Sequence, residues 1–205
     1  MKRALDVVFA ALAIVILSPL LLASCLAVFV SDGRPVIFRQ ERIGKDRKRF
    51  RICKFRTMKK GVGDIAKKDL QNYEACLIRG GNLLRRMSLD ELPQLFNIVG
   101  GTMSFVGPRP LIPQETEIDR LRAEAGVYKV RPGVTGLAQV SGRDNLSDAE
   151  KAAYDAEYVR TQSLVNDLKI ICKTVRVVLR RENMTQNTEK KAKKHLEAEF
   201  SGETL

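Results

Sequence analysis

Two adjacent carboxylates, Asp90 and Glu91, lie in the run Ser88-Leu89-Asp90-Glu91-Leu92-Pro93-Gln94-Leu95, shortly after Arg85 and Arg86. Acids flanked by guanidinium groups suit chemistry on phosphorus. The arginines hold an anionic substrate, and a carboxylate attacks the phosphorus or carries a metal ion. The same stretch also has a purely structural reading. Ser88 and Glu91 form an S-x-x-E capping box, in which each side chain satisfies a backbone N–H at a helix start. Both readings stand on these residues alone.

Other chemistries are poorly supported. Cys25, Cys53, Cys76 and Cys172 are widely spaced, with no C-x-x-C pair, and the single histidine is His195. That pattern argues against a zinc site and against a histidine-based triad. The cysteines read as reduced thiols rather than a disulfide framework.

The chain has 205 residues, enough for one domain with its own core. Its 36 Lys and Arg against 24 acids give a formal net charge of +12. Such a balance points to a polyanion: nucleic acid, an anionic membrane face or a phosphorylated substrate. Nucleic acid is the least supported, because aromatics are only 6% of the chain and no stacking module stands out.

The elements that must position Asp90 begin with an apolar run from Val7 to Val30, preceded by Lys2-Arg3 and Asp6. Three readings compete. At 1.5 Å per residue the run reaches about 36 Å, enough for a membrane-spanning helix. Lys2-Arg3 and the Leu22-Ala23-Ser24-Cys25 stretch resemble a lipoprotein signal, although the run stays apolar past Cys25. The third is a re-entrant helix: Pro19 must bend the segment in mid-run, and Ser18 can satisfy a freed carbonyl. Arg39, Arg42, Lys45, Arg47, Lys48 and Arg49 follow closely, which favours a cytosolic main domain.

Residues 36–43 and 49–56 alternate in polarity around Gly44-Lys45-Asp46, which predicts a β-hairpin. Residues 59–78 read as a loop with a short helix. A helix is predicted from Leu89 to Val99, extended chain from Met103 to Pro110, and a helix over 114–126. Arg131 to Arg143 is glycine-punctuated and irregular. Ser147 begins a helix reaching Thr161, and Leu164 to Arg181 forms another that packs in the core or lies at a membrane surface.

Several motifs then line up in order. They are Lys2-Arg3 with Asp6, Ser18-Pro19, Lys54-Phe55-Arg56-Thr57-Met58, Ser88 through Gln94, Gly107-Pro108-Arg109-Pro110, and Arg131-Pro132-Gly133 through Gly142-Arg143. Over about residues 2–181 the chain resembles the bacterial sugar transferase family, the monotopic phosphoglycosyl transferases. The resemblance implies an α+β fold: a mostly helical monotopic membrane protein with an amino-terminal re-entrant helix and a small β-hairpin. It also implies a re-entrant membrane helix over 1–31 and a cytosolic catalytic domain with interfacial helices over 32–182; residues 183–205, polar and of mixed charge, read as a charged flexible tail outside the family pattern.

The implied reaction moves sugar-1-phosphate from a UDP-sugar to undecaprenyl phosphate and releases UMP, at the cytoplasmic face of a bacterial inner membrane. Asp90 matches the nucleophile and Glu91 the neighbouring acid, the two also carrying Mg²⁺. A helix N-terminus would hold the Asp90 pKa low. Arg85, Arg109 and Arg143 match phosphate-binding positions, with Arg131, Lys54 and Arg56 as further candidates and Arg86 a weaker one. Lys2, Arg3 and Asp6 match a membrane-surface anchor, and Ser18-Pro19 the bend. The partners expected are the UDP-sugar, undecaprenyl phosphate and lipids of the cytosolic leaflet, with no nucleic acid; a homo-oligomer stays open. The rival function is a membrane-tethered basic protein that binds anionic lipid or nucleic acid, and a third is a lipoprotein cleaved before Cys25.

Overall fold

Pro19 has no N–H to give the carbonyl of Val15, so a helix that starts at Lys2 cannot run unbroken through it. In the computed structural model, which describes residues 1–61, 73–142 and 145–177, two helices form instead. Helix α1 (Lys2–Ile16) and helix α2 (Ser18–Asp32) meet at Leu17 with a 65° bend. Ser18 Oγ donates to the Val15 carbonyl at 2.8 Å, replacing the bond that proline cannot make. Pro19 itself lies in the first turn of α2, where a missing N–H leaves nothing unsatisfied. Among the described residues no single helix is long and apolar enough to cross a membrane.

One face of the bent pair is turned inward throughout. Ala10, Ala13, Ile14 and Leu17 pack on a core of Ile52, Leu95, Ile98 and Met103. Leu21, Cys25 and Val28 pack on a second core of Phe55, Ile78 and Leu84. The opposite face is apolar and bare: Val8, Phe9, Val15, Ile16, Leu22 and Val30 are each more than half exposed.

Both ends of the pair are tied to the same domain. Arg3 donates to the carbonyls of Ile98 and Val99 at 2.6 and 3.0 Å, a cation at the end of helix α4 (Gln94–Val99). Asp6, buried, accepts from Ser104 Oγ at 2.8 Å. Lys2 pairs with Asp167. At the far end Arg56 clamps the close of α2. Its guanidinium donates to the Asp32 carboxylate and carbonyl and to the carbonyls of Gly33, Pro35 and Met58.

The hairpin forms as the alternation predicts: β1 (Ile37–Ile43) pairs antiparallel with β2 (Arg49–Phe55), Ile37 facing Phe55 and Ile43 facing Arg49. Helix α3 (Gly81–Arg86) and α4 follow. A second sheet pairs β3 (Ser104–Val106) in parallel with β4 (Gly133–Thr135). Gly107 and Gly133 allow this contact. A Cβ on Gly107 would lie 2.3 Å from the Arg131 carbonyl, and one on Gly133 2.1 Å from the Gly107 nitrogen. Helices α5 (Thr116–Glu124), α6 (Leu137–Ser141), α7 (Asp148–Thr161) and α8 (164–177) complete the described chain.

The mixed helix-and-strand class agrees with the sequence, and the second sheet adds to it. The predicted helix from Leu89 to Val99 is a correction. It divides into a 3₁₀ turn over Leu89–Glu91 and the six-residue α4, because Pro93 cannot donate within a continuous helix. The expected loop over 59–78 has its short helix at Tyr73–Cys76, while 62–72 lie outside the described residues. So do Arg143 and the charged tail over 183–205.

Candidate active site

The capping box at Ser88 does not form. Ser88 takes a left-handed conformation, φ 57° and ψ 21°, and its side chain makes no cap bond. A non-glycine residue in that region carries strain, and the next turn holds Asp90. Replacing Ser88 with valine should cost about 1–3 kcal/mol, whereas Ser88→Gly should keep full stability. Thermal melts of the two variants check this; a valine variant as stable as the parent contradicts the backbone assignment.

The turn lowers Asp90 into the protein, leaving it 9% exposed. Burial pushes its carboxyl up to about 6, and the adjacent Glu91 charge adds to the rise. Lys54 and Arg85 oppose that rise. This corrects the expectation of a low pKa: a 3₁₀ turn of three residues supplies little dipole, and loss of water outweighs it. Glu91 is more exposed and receives a bond from Lys54 Nζ at 2.6 Å. Arg85 sits at the end of α3 and donates through Nε to Thr57 Oγ1 at 2.7 Å. Asp90, Glu91, Lys54 and Arg85 thus form one cluster: two acids, two cations.

The other candidates are placed elsewhere. All five N–H donors of Arg56 are committed to the end of α2 and the segment beside it, which leaves none for a phosphate. Arg109 is exposed, its carbonyl held by Arg122 Nη1 at 2.7 Å, beside Ile43 and Gly44 at the turn end of the hairpin. Arg131 donates to the Gly101 carbonyl at 2.8 Å and shares a pocket with Lys2, Arg3 and Asp6. Lys2, Arg3 and Asp6, expected as a surface anchor, all have protein partners.

Two adjacent carboxylates fit Mg²⁺, which takes one or two protein carboxylates and completes its shell with substrate phosphate and water. Mutual repulsion within the pair is the structural reason a cation would be favoured there.

Residues 1–181 match the bacterial sugar transferase family. The chain belongs to the bacterial sugar transferase family. The exopolysaccharide production protein ExoY of Sinorhizobium fredii is 39% identical over 86% of this chain and 84% of its own length. The UDP-glucose:undecaprenyl-phosphate glucose-1-phosphate transferase of Escherichia coli is 42% identical over 85% of this chain and 39% of its own. The undecaprenyl-phosphate galactose phosphotransferase of Salmonella typhimurium is 36% identical over 89% and 41%. This bacterial sugar transferase therefore spans most of one relative and about two fifths of the longer two.

The sequence reading missed Arg122 and Asp155. They form an ion pair with side chains 4% and 1% exposed, joining α5 to α7 behind Arg109. Each is a charged residue within a predicted helix and reads as a solvated helix position. Spacing of Ile118 and Arg122 at i and i+4, both on the buried side of α5, is the signal that could have found one of them.

Proposed function

We propose that this transferase moves sugar-1-phosphate from a UDP-sugar to undecaprenyl phosphate through a covalent intermediate on Asp90. The chain is a phosphoglycosyl transferase, and relatives named for glucose-1-phosphate and galactose transfer to undecaprenyl phosphate support the wider reaction. The observation that carries the finer reading is Asp90 itself, a buried carboxylate with Glu91 beside it and Lys54 and Arg85 within electrostatic reach.

In the first step an Asp90 carboxylate oxygen bonds to the phosphorus that bears the sugar. The bond from that phosphorus to the UMP oxygen breaks, and UMP leaves with the electron pair. In the second step an oxygen of undecaprenyl phosphate attacks the same phosphorus and returns Asp90 as a carboxylate. Lys54 and Arg85 steady the anionic substrate, with Arg85 held in place by Thr57. Glu91, paired with Lys54, orients the acceptor phosphate. Mg²⁺ held by Asp90 and Glu91 would neutralise diphosphate charge facing the nucleophile.

The kinetics test the intermediate. UMP should appear in a burst of about one equivalent per enzyme before acceptor is added, with parallel double-reciprocal lines. No burst and intersecting lines would indicate direct transfer in a ternary complex.

The bare apolar face of α1 and α2 supports attachment to the cytoplasmic face of a bacterial inner membrane. Each arm is about 22 Å long, so a 65° bend puts Leu17 roughly 12 Å off the line between the ends. One leaflet of hydrocarbon is about 15 Å deep, which suits a re-entrant pair. Leu83 and Met87, also exposed, would bring Asp90 near the same plane. Cysteine labelling of intact cells should find residues near position 2 and just after Asp32 accessible from the cytosolic side. Replacing Ser18 and Pro19 together with leucine should move the amino terminus outward. A periplasmic amino terminus in the unmodified protein restores the simple span.

A further inference from the structure

Arg131 is drawn away from Asp90 into a pocket of about 170 Å³ at the amino end of α1. Five cations line it: Lys2, Arg3, Lys45, Lys129 and Arg131, with Asp6 the acid among them. Asp6 accepts from Ser104 and Phe105, neutral donors that leave its charge to offset one of the five cations, and Asp167 offsets Lys2. Arg3 and Arg131 donate to backbone carbonyls, which carry no formal charge to offset theirs. The side chains of Lys45 and Lys129 have no hydrogen bond or ion pair among the described residues. With two acids against five cations, the pocket keeps an excess of positive charge. Converging cations around a concavity, at the positive end of a 15-residue helix, select an anion.

The pocket is separate from the Asp90 cluster. Lys54 faces Phe38 in the hairpin ladder, five positions from the Ile43–Arg49 pair, and Lys45 lies in the turn beyond it. At about 3.4 Å per residue that is roughly 17 Å along the strands. The two helices that meet beside the pocket at the Lys2–Asp167 pair carry bare apolar residues. Val8 and Phe9 of α1 are more than half exposed, as are Val165 and Leu168 of α8, the helix that carries Asp167.

We infer that this pocket is a second, non-catalytic site for a phosphate ester, with a phospholipid headgroup as the favoured source: phosphate among the five cations, acyl chains along the bare faces of α1 and α8. This rests on the membrane attachment proposed above. A free phosphate would use the same cations, so the test separates the sources.

The full chain is floated with vesicles of phosphatidylcholine alone or with phosphatidylglycerol, and titrated separately with inorganic phosphate. The variant is Lys45→Ala/Lys129→Ala; the control is Arg51→Ala/Lys151→Ala, which removes two cations outside the pocket. Melting temperatures confirm that both are folded. The pocket variant should lose its phosphatidylglycerol preference by about 25-fold, near fivefold per lysine, and the control by less than about threefold. Saturable phosphate binding lost in the pocket variant, with vesicle partition unchanged, keeps the pocket and assigns it to a soluble phosphate. Equal losses in variant and control, or no loss in either assay, overturn the site. A parent chain that binds neither vesicle overturns the membrane reading, and then the phosphate titration alone decides the pocket.

Discussion

Asp90→Asn should abolish UMP release and make the protein harder to unfold. The first effect follows because an amide does not attack phosphorus; the loss should reach the detection limit, while Glu91→Gln still forms some trapped phosphosugar. The second follows from burial. The Asp90 carboxyl is pushed up to about 6 in the folded chain, against an ordinary value of 3.8. The folded state therefore holds the proton more tightly than the unfolded one. The stability that this proton contributes is complete below pH 3.8 and is lost as pH rises to about 6. Above that, an ionised Asp90 costs about 3 kcal/mol, which asparagine does not incur. Chemical denaturation at pH 8 with and without the substitution measures it. The catalytic counterpart has the opposite direction. Turnover should fall about tenfold per pH unit below 6, as the proposed nucleophile is protonated. Residual wild-type UMP release in Asp90→Asn would remove Asp90 from the nucleophile's role.

Asp155→Ala should lower stability by about 3–5 kcal/mol, because it strands the Arg122 charge in the interior. At about 2–4 °C per kcal/mol the midpoint falls by roughly 10 °C. Restoring an apolar pair, Arg122→Met with Asp155→Leu, should recover most of that loss, since the desolvation of both ions disappears together. Activity should not recover in step. Arg122 also holds the Arg109 carbonyl at 2.7 Å, and methionine cannot. If the single and double variants melt alike, the pair is not the buried contact between α5 and α7.

One local pattern occurs twice in this chain with different outcomes. Ser147 and Glu150 form a full capping box at the start of the 14-residue α7. Ser88 and Glu91 share the spacing and form none. After Ser147 come alanines and other good helix formers; after Ser88 comes Pro93, which ends any helix before the box can serve it. Capping letters report a helix only when the residues that follow can continue one. The hairpin was legible because alternation spans seven residues on each strand. The β3–β4 pair was not: three-residue strands far apart in sequence carry no alternation of their own. At the site, the residue types of Asp90, Glu91 and Arg85 were legible and their environment was not. Burial of Asp90 depends on the left-handed Ser88, and the pairing of Lys54 with Glu91 depends on how β2 meets the 3₁₀ turn. Both arise from tertiary contacts.

The anchors of α1 also set an order of events. Helix α1 leaves the ribosome well before its partners Ile98, Ser104 and Asp167 are made. Asp32, by contrast, meets Arg56 only 24 residues on. During synthesis the second arm can therefore lock while the first is still unattached, and α1 docks only when most of the chain has been translated. Helix α1 is made before its partners and fixed after α2, so a truncation before residue 167 should leave it unlatched at Lys2 even when the hairpin and α2 have assembled.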